Sequence, residues 1–272
     1  MRLSIFIICF LCACHSKEQP PTKPAIKVAA TVYHRIPGQK IIHVFVALCD
    51  NKYQGIVPVP AKIGNGQNPS ENLYWSCDLG IKTYFKKSNS WQLIKTIPSP
   101  QAHILERCIF KNKQSNTWLV ADAYDGQFIQ LCTENFLSAC AGNGAEELRV
   151  DKEKKIWIGG SADLLAYIGH NGLMDFKLNQ QFPAHDTLKR EAIILACISK
   201  AYFAPFLKQT GAKALVWSTG LMAPEAYTLH DAINAWLAKQ PAETIRQKAA
   251  EAYAKYQKCS VKAAKNLLVT GW

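Results

Sequence analysis

The feature that most constrains the fold is a set of short segments, each almost wholly apolar and rich in β-branched residues. Residues 41–48 read IIHVFVAL and residues 117–121 read TWLVA, and similar segments cover residues 164–168, 192–196 and 214–217. Short apolar segments without strict alternation are typical of strands that are buried on both faces of a parallel sheet. The sequence therefore predicts a mostly parallel central sheet.

Segments with helical periodicity alternate with these strands. Helices are predicted at residues 71–85, 126–140, 200–209, 227–238 and 242–258, and further short strands at residues 91–97, 104–110 and 267–269. Strands that alternate with helices indicate the α/β class and a three-layer α/β/α sandwich. With 272 residues, of which 49% are hydrophobic, the chain is long enough for one large domain with its own core.

The first residues have the pattern of a secretory signal. Arg2 precedes an apolar run over residues 3–11, and the run ends in Leu11-Cys12-Ala13-Cys14. That ending resembles a bacterial lipobox, and the resemblance implies that residues 1–13 are removed and that Cys14 is acylated. The alternative is an ordinary signal peptide that is cleaved near Ala13 without lipid. Residues 14–28 are rich in Pro and Lys and predict an extended tether, so the folded domain is expected over residues 29–272.

These features place the protein on a bacterial cell envelope, facing either the periplasm or the outside, with the membrane as a partner through the lipid anchor. No later segment approaches the roughly 20 apolar residues of a membrane-spanning helix. The net charge of +12 comes from scattered Lys and Arg residues without interleaved aromatic residues, so nucleic-acid binding is not expected. A solvated basic surface is the favoured interpretation, with attraction to an anionic membrane or an acidic substrate as the alternative.

Ten cysteines need an explanation. Three belong to the leader and seven to the body, and an odd number means that at least one body cysteine stays free. No Cys/His spacing of a zinc site and no Walker or dinucleotide-binding motif is found, so neither a metal nor another cofactor is predicted.

Two of the predicted strands are followed by residues that carry chemistry. The 164–168 strand leads into Gly169-His170-Asn171-Gly172, and the 192–196 strand leads into Cys197. Ligands of open α/β sheets bind beyond the carboxyl ends of the strands. A nearby imidazole activates a thiol and later protonates a leaving group. A helix after Cys197, with Ser199 as its cap, would also stabilise a thiolate.

An apolar strand ending in His-Gly, followed by one ending in Ala-Cys, resembles the caspase-like cysteine peptidases, among them caspases, gingipains, legumain and clostripain. Residues 211–220, followed by two helices, are also similar to the bacterial members. The resemblance implies Cys197 as the nucleophile, His170 as the general acid/base and an oxyanion hole of backbone N–H groups from Cys197 and the residue after the histidine. Asn171 stands where the family has glycine, so the second donor is the N–H of either Asn171 or Gly172.

The resemblance also suggests where the substrate side chain binds. Several members place the selecting residue just after the first core strand, where this chain has Asp50, and Asp125 follows another strand. An acid there would select Arg or Lys, although a solvated or capping Asp is the common alternative. Trp217 and Ser218 line the same pocket in this interpretation, or Trp217 is a core residue.

The predicted function is a lipid-anchored cysteine endopeptidase that acts on a peptide or protein. The alternative is an inactive caspase-like binding module. Taken singly, Cys197 is also compatible with an inert core residue and His170-Asn171-Gly172 with a simple turn.

Overall fold

The computed structural model describes residues 36–272. The described residues belong to one compact unit. The predicted signal peptide, Cys14 and the tether lie outside the described residues. No helix within the described part is both long and apolar enough to span a membrane.

The core of the fold is an eight-stranded sheet with the order β10-β9-β8-β7-β1-β4-β3-β2. Its strands are β1 (Lys40–Ala47), β2 (Trp91–Gln101), β3 (Ile104–Asn112), β4 (Thr117–Tyr124), β7 (Leu164–Gly169), β8 (Glu191–Leu195), β9 (Lys213–Ser218) and β10 (Leu268–Val269). The five strands from β4 to β9 in that order are parallel, whereas β2, β3 and β10 run antiparallel to their neighbours. The carboxyl ends of five strands therefore meet at one edge.

Helices cover both faces of this sheet. They are α1 (Ile81–Lys87), α2 (Ile129–Cys140), α3 (Ser199–Thr210), α4 (Ala226–Leu237), α5 (Ala242–Gln257) and α6 (Val261–Leu267). Because successive strand residues point to opposite faces, Ile42 and Val44 pack in the core that contains α1, α4 and α5. Ile41 and Phe45 pack in the core that contains α2 and α3. This is an α/β fold with a mostly parallel sheet, and its layers are compatible with a three-layer sandwich.

The predicted central strands and the four helices from residue 126 onward are confirmed, with small changes at their ends. The helix predicted over residues 71–85 is wrong in its first part, because residues 71–80 form turns and only residues 81–87 are helical. Asn72 explains the difference: its side chain accepts from the N–H of Cys49 (3.1 Å) and donates to the Cys49 carbonyl (2.8 Å). Such side-chain contacts to backbone compete with helix formation. The hairpin of β5 (Glu146–Arg149) and β6 (Lys155–Ile158) and helix α6 were not predicted.

Candidate active site

The structure brings the loops that carry His170 and Cys197 to the same edge of the sheet. Strands β7 and β8 are adjacent and parallel, with Ile168 opposite Leu195. His170 follows β7 directly, and Cys197 stands two residues beyond the end of β8. Gly169 makes the approach possible, since it has φ +139° and a Cβ there would lie 2.5 Å from the Ala47 carbonyl oxygen.

His170 is held by contacts on its backbone and on its ring. Its carbonyl accepts a hydrogen bond from the Tyr167 hydroxyl (2.8 Å), and the residue is buried. Its Nε2 lies 2.8 Å from Oδ2 of Asp175, which also accepts from the N–H of Gly55 (2.9 Å). A carboxylate accepts only, so Nε2 carries the proton. Nδ1 has no hydrogen-bond partner within residues 36–272 and is therefore the ring nitrogen available as a base.

Asp175 is the functional residue that sequence reasoning missed. It lies five residues after His170, just past the short 3-10 turn Gly172–Met174. The only sequence signal was an acid so soon after a candidate catalytic histidine, and that signal is weak. A carboxylate on one ring nitrogen fixes the tautomer and stabilises the imidazolium that forms when the other nitrogen takes a proton.

Cys197 is half-buried, and its thiol contacts the segment after β9. Sγ accepts from the N–H of Met222 (3.4 Å) and lies 3.5 Å from the Met222 carbonyl oxygen. Among the described residues, no hydrogen bond joins this sulfur to the His170 ring. Burial raises the pKa of Tyr74 and that of Tyr253, whose hydroxyl accepts from the N–H of Ala223 (3.2 Å), the residue after Met222.

The other body cysteines are poorer nucleophiles or lie elsewhere. All seven are free thiols in the structure. Burial raises the pKa of Cys49 to about 11 and that of Cys108 to about 12, and it raises the pKa values of Cys132 and Cys140 strongly as well. Such thiols remain protonated and inert near neutral pH. Burial also raises the pKa of Cys77, which is half-buried. Cys259 is exposed, and it follows α5, away from His170 in the chain.

The predicted cap of the helix after Cys197 is wrong. Ile198 is the N-cap residue of α3 and provides no side-chain cap. The Ser199 hydroxyl instead donates to the Ile194 carbonyl (2.9 Å). The helix still begins two residues after Cys197, so its positive end lies close to the nucleophile candidate.

The N–H groups of Cys197 and Asn171 are available as donors, because neither has an acceptor in the part of the chain that the structure describes. The N–H of Asn171 can therefore serve as the second oxyanion donor, and Gly172 stays the alternative.

The carboxylates of Asp50 and Asp125, which were predicted to line a specificity pocket, accept hydrogen bonds from their own and neighbouring loops. Asp50 is 1% exposed, and its oxygens accept from the backbone N–H groups of Lys52 (2.8 Å) and Tyr53 (3.1 Å) and from Gln67 Nε2 (2.7 Å). Asp125 accepts from the same Gln67 side chain (2.7 Å) and caps the following 3-10 turn. Both carboxylates order the loops beside the site, and the capping alternative describes Asp125.

Trp217 and Ser218 are both fully buried. The Trp217 indole donates to the Gly271 carbonyl (3.0 Å), so the core alternative holds for this residue. The Ser218 hydroxyl donates to the Ala196 carbonyl and accepts from the N–H of Ser199 (3.1 Å). Ser218 thus contacts the residues on either side of Cys197 instead of a substrate pocket.

A second group of buried charges lies in the sheet, where strands β3 and β4 pair. Arg107 binds both oxygens of Asp122 (2.6 and 2.7 Å) and also Glu146 (2.7 Å), while His43 Nε2 lies 3.0 Å from Asp122. Burial alone would raise the pKa of Asp122, but the contacts with Arg107 and His43 outweigh it and hold this pKa below its ordinary value. Asp122 is therefore a structural ion-pair partner.

No metal-binding group of three or more His, Cys, Asp or Glu side chains occurs within residues 36–272. Comparison with protein-family models, with curated proteins and with solved structures found no match to this chain.

Proposed function

We propose that the protein is a caspase-like cysteine peptidase in which Cys197 is the nucleophile and His170, oriented by Asp175, is the general acid/base. The observation that carries the proposal is the placement of His170 and Cys197 after adjacent parallel strands. Nε2 of His170 is bound to a carboxylate, and Nδ1 has no hydrogen-bond partner among residues 36–272. The mostly parallel sheet with helices on both faces supports the proposal at the level of fold class.

The proposed reaction begins with proton transfer from the Cys197 thiol to Nδ1 of His170. The thiolate then attacks the scissile carbonyl carbon, and the N–H groups of Cys197 and Asn171 stabilise the oxyanion. His170 returns the proton to the leaving amine as the C–N bond breaks, which leaves a thioester. Water, deprotonated by His170, hydrolyses the thioester and regenerates the thiol.

One rearrangement has to precede the first step. The thiol contacts Met222 in this conformation, so Sγ must turn from Met222 toward His170 before it can transfer its proton. Binding of substrate along the segment after β9 would displace this contact. Apo structures commonly show such loose catalytic geometry.

The same contact supports the second candidate, an inactive binding module of this fold, because a thiol that stays on Met222 cannot react. The two candidates differ in the reactivity of Cys197. We expect Cys197 to react with iodoacetamide or a peptidyl electrophile faster than any other cysteine in the domain. His170→Ala should slow that reaction and abolish peptide hydrolysis.

The experiment uses the domain with Cys259→Ser, which removes an exposed thiol outside the site. Mass spectrometry of the labelled, folded protein identifies the cysteine that reacts first, and a mixture of peptides with varied sequence reports hydrolysis. Cys197→Ala is the inactive control. If Cys197 remains unlabelled, or if hydrolysis persists in Cys197→Ala, the peptidase proposal is wrong.

The proposed setting is the bacterial cell envelope, with Cys14 lipidated and residues 14–28 as the link between membrane and domain. The sequence pattern at residues 11–14 supports this setting. The substrate would then be a peptide or protein of the periplasm or the cell exterior.

A further inference from the structure

The turn that carries Cys197 is strained at the next residue. Ile198 has φ +50° and ψ +31°, which is the left-handed region. Of the non-glycine residues with positive φ in the described chain, it alone is β-branched; the others are Ser99, His103, Lys239 and Lys258. Left-handed backbone is costly for any residue with a Cβ and is an outlier for a β-branched one. The turn therefore needs contacts that hold it.

The peptide group between Cys197 and Ile198 is held at both of its ends. Its carbonyl oxygen accepts from Nδ2 of Asn171 (2.6 Å), and its N–H donates to the Gly220 carbonyl (2.8 Å). Turning this peptide group over would change ψ of Cys197 and φ of Ile198 together and would release Ile198 from the left-handed region. It would also break both hydrogen bonds, so these two contacts oppose the relaxation.

The Asn171 side chain is well placed to act as a clamp. It is fully buried, and its Oδ1 accepts from the N–H of Leu173 (3.1 Å), which fixes the direction of its amide group. Since Asn171 directly follows His170, its bond to the Cys197 carbonyl fastens the histidine loop to the nucleophile turn. A glycine at this position would provide no such contact.

We infer that Asn171 is a positioning residue whose side chain holds the strained turn at Cys197–Ile198 and so keeps the nucleophile in reach of the histidine. The catalytic consequence rests on the proposed function, whereas the effect on the conformation of the turn does not. Asn171, which stands where the His-Gly pattern has glycine, thus contributes its side chain to the turn as well as its N–H to the site.

The test measures the coupling between His170 and Cys197. Its readout is the factor by which His170→Ala slows alkylation of Cys197 by iodoacetamide at pH 7, with Cys259→Ser in every variant. Asn171→Asp has the same size and keeps the acceptor for Leu173, but it loses the donor to Cys197. We expect a factor of about ten with Asn171 present, as for one charge-assisted contact. We expect a factor near one with Asn171→Asp, and the same with Asn171→Ala, which adds no charge.

Relieving the strain should restore the coupling. Gly and Asn tolerate left-handed backbone, so adding Ile198→Gly or Ile198→Asn to Asn171→Asp should return the factor to within about threefold of the original value. Lys258→Gly is the matched control, because Lys258 has φ +54° at the end of α5 and lies outside the site. It relieves similar strain but should restore nothing.

Three results would overturn the inference: an unchanged factor in both Asn171 variants, failure of both Ile198 variants to restore it, or equal restoration by Lys258→Gly. Variants are compared only when their circular dichroism and thermal unfolding match the parent, and Asn171→Ala replaces Asn171→Asp if the latter does not fold. Absence of peptide hydrolysis in the parent would contradict the proposed function alone, since alkylation still reports the turn. In an active enzyme, kcat should fall with the coupling while KM stays unchanged.

Discussion

Replacement of Asp175 tests the orientation of His170 most directly. Oδ2 of Asp175 accepts from two donors, His170 Nε2 and the N–H of Gly55. In Asp175→Asn the carbonyl oxygen can take this place and keep both bonds, so the variant loses only the charge. Asp175→Ala loses the bonds as well. The two variants should therefore form a graded series.

The magnitudes follow from the type of hydrogen bond. A bond to a charged group contributes about 1.5–3 kcal/mol and a neutral one about 0.5–1.5 kcal/mol. Asp175→Asn should lose the difference between the two types of bond, about 1–1.5 kcal/mol, and Asp175→Ala the whole charged bond, about 1.5–3 kcal/mol. At about 1.36 kcal/mol per factor of ten, kcat/KM should fall by about 5- to 13-fold in Asp175→Asn and by about 13- to 160-fold in Asp175→Ala. The Asp175 side chain is 28% exposed, so solvent weakens the contact and favours the lower half of each range.

The assay is hydrolysis of one fluorogenic peptide at pH 7, with thermal unfolding as a control for folding. Asp186 lies in a different loop and is paired with Arg190, so Asp186→Asn is the control for the loss of a carboxylate that does not contact His170. Activity in both Asp175 variants equal to that of the parent would show that Asp175 does not orient His170. An Asn variant weaker than the Ala variant would show that the amide points its N–H₂ at the ring and forces the wrong tautomer.

Three further outcomes are expected. Arg107→Met should lower the free energy of unfolding in urea by about 3–5 kcal/mol, because the buried Asp122 loses both bonds to the guanidinium and keeps His43 as a partner. Lys87→Met at an exposed ion pair should change the free energy of unfolding by less than about 0.5 kcal/mol. The pKa of Asp122 in the folded protein is below its ordinary value, so the contribution of this residue to stability should be fully present above pH about 4 and lost as the pH falls through the folded pKa. Urea unfolding between pH 6 and pH 3 should show this loss in the parent, and the free energy of unfolding should vary less with pH in Arg107→Met. Cys14→Ser should move the protein from the membrane to the soluble fraction, and unchanged membrane association would argue against lipidation.

Part of the site could be predicted because it depends on local sequence. A strand buried on both faces is apolar along its length, so the end of each strand is visible where the apolar run stops. His170 and Cys197 stand at such ends, and short crossovers between parallel strands bring consecutive ends to one edge. The position of both residues was therefore set by the order of elements alone.

Contacts between loops could not be predicted in this way. The bonds of Asp175 to Gly55 and of Asn171 to the Cys197 carbonyl join segments whose approach no periodicity encodes. The turns at residues 71–80 were mistaken for helix for the same reason, since the contact of Asn72 with Cys49 outweighs local helical spacing. The sequence left open whether Trp217 lines a pocket or lies in the core. The folded chain buries its side chain and places the Gly271 carbonyl on its indole N–H.

The α/β class, the strands of the sheet and the edge where His170 and Cys197 lie could be predicted from the amino-acid sequence, because burial periodicity and chain order are properties of the sequence. The groups that surround these two residues depend on the folded chain. It placed Asp175 on the imidazole, Asn171 on the nucleophile's carbonyl and Met222 on the thiol, and it held Ile198 in a conformation that its own side chain disfavours. Hydrogen bonds between loops act over a few ångströms in space and any distance along the chain, so only the folded chain reveals them.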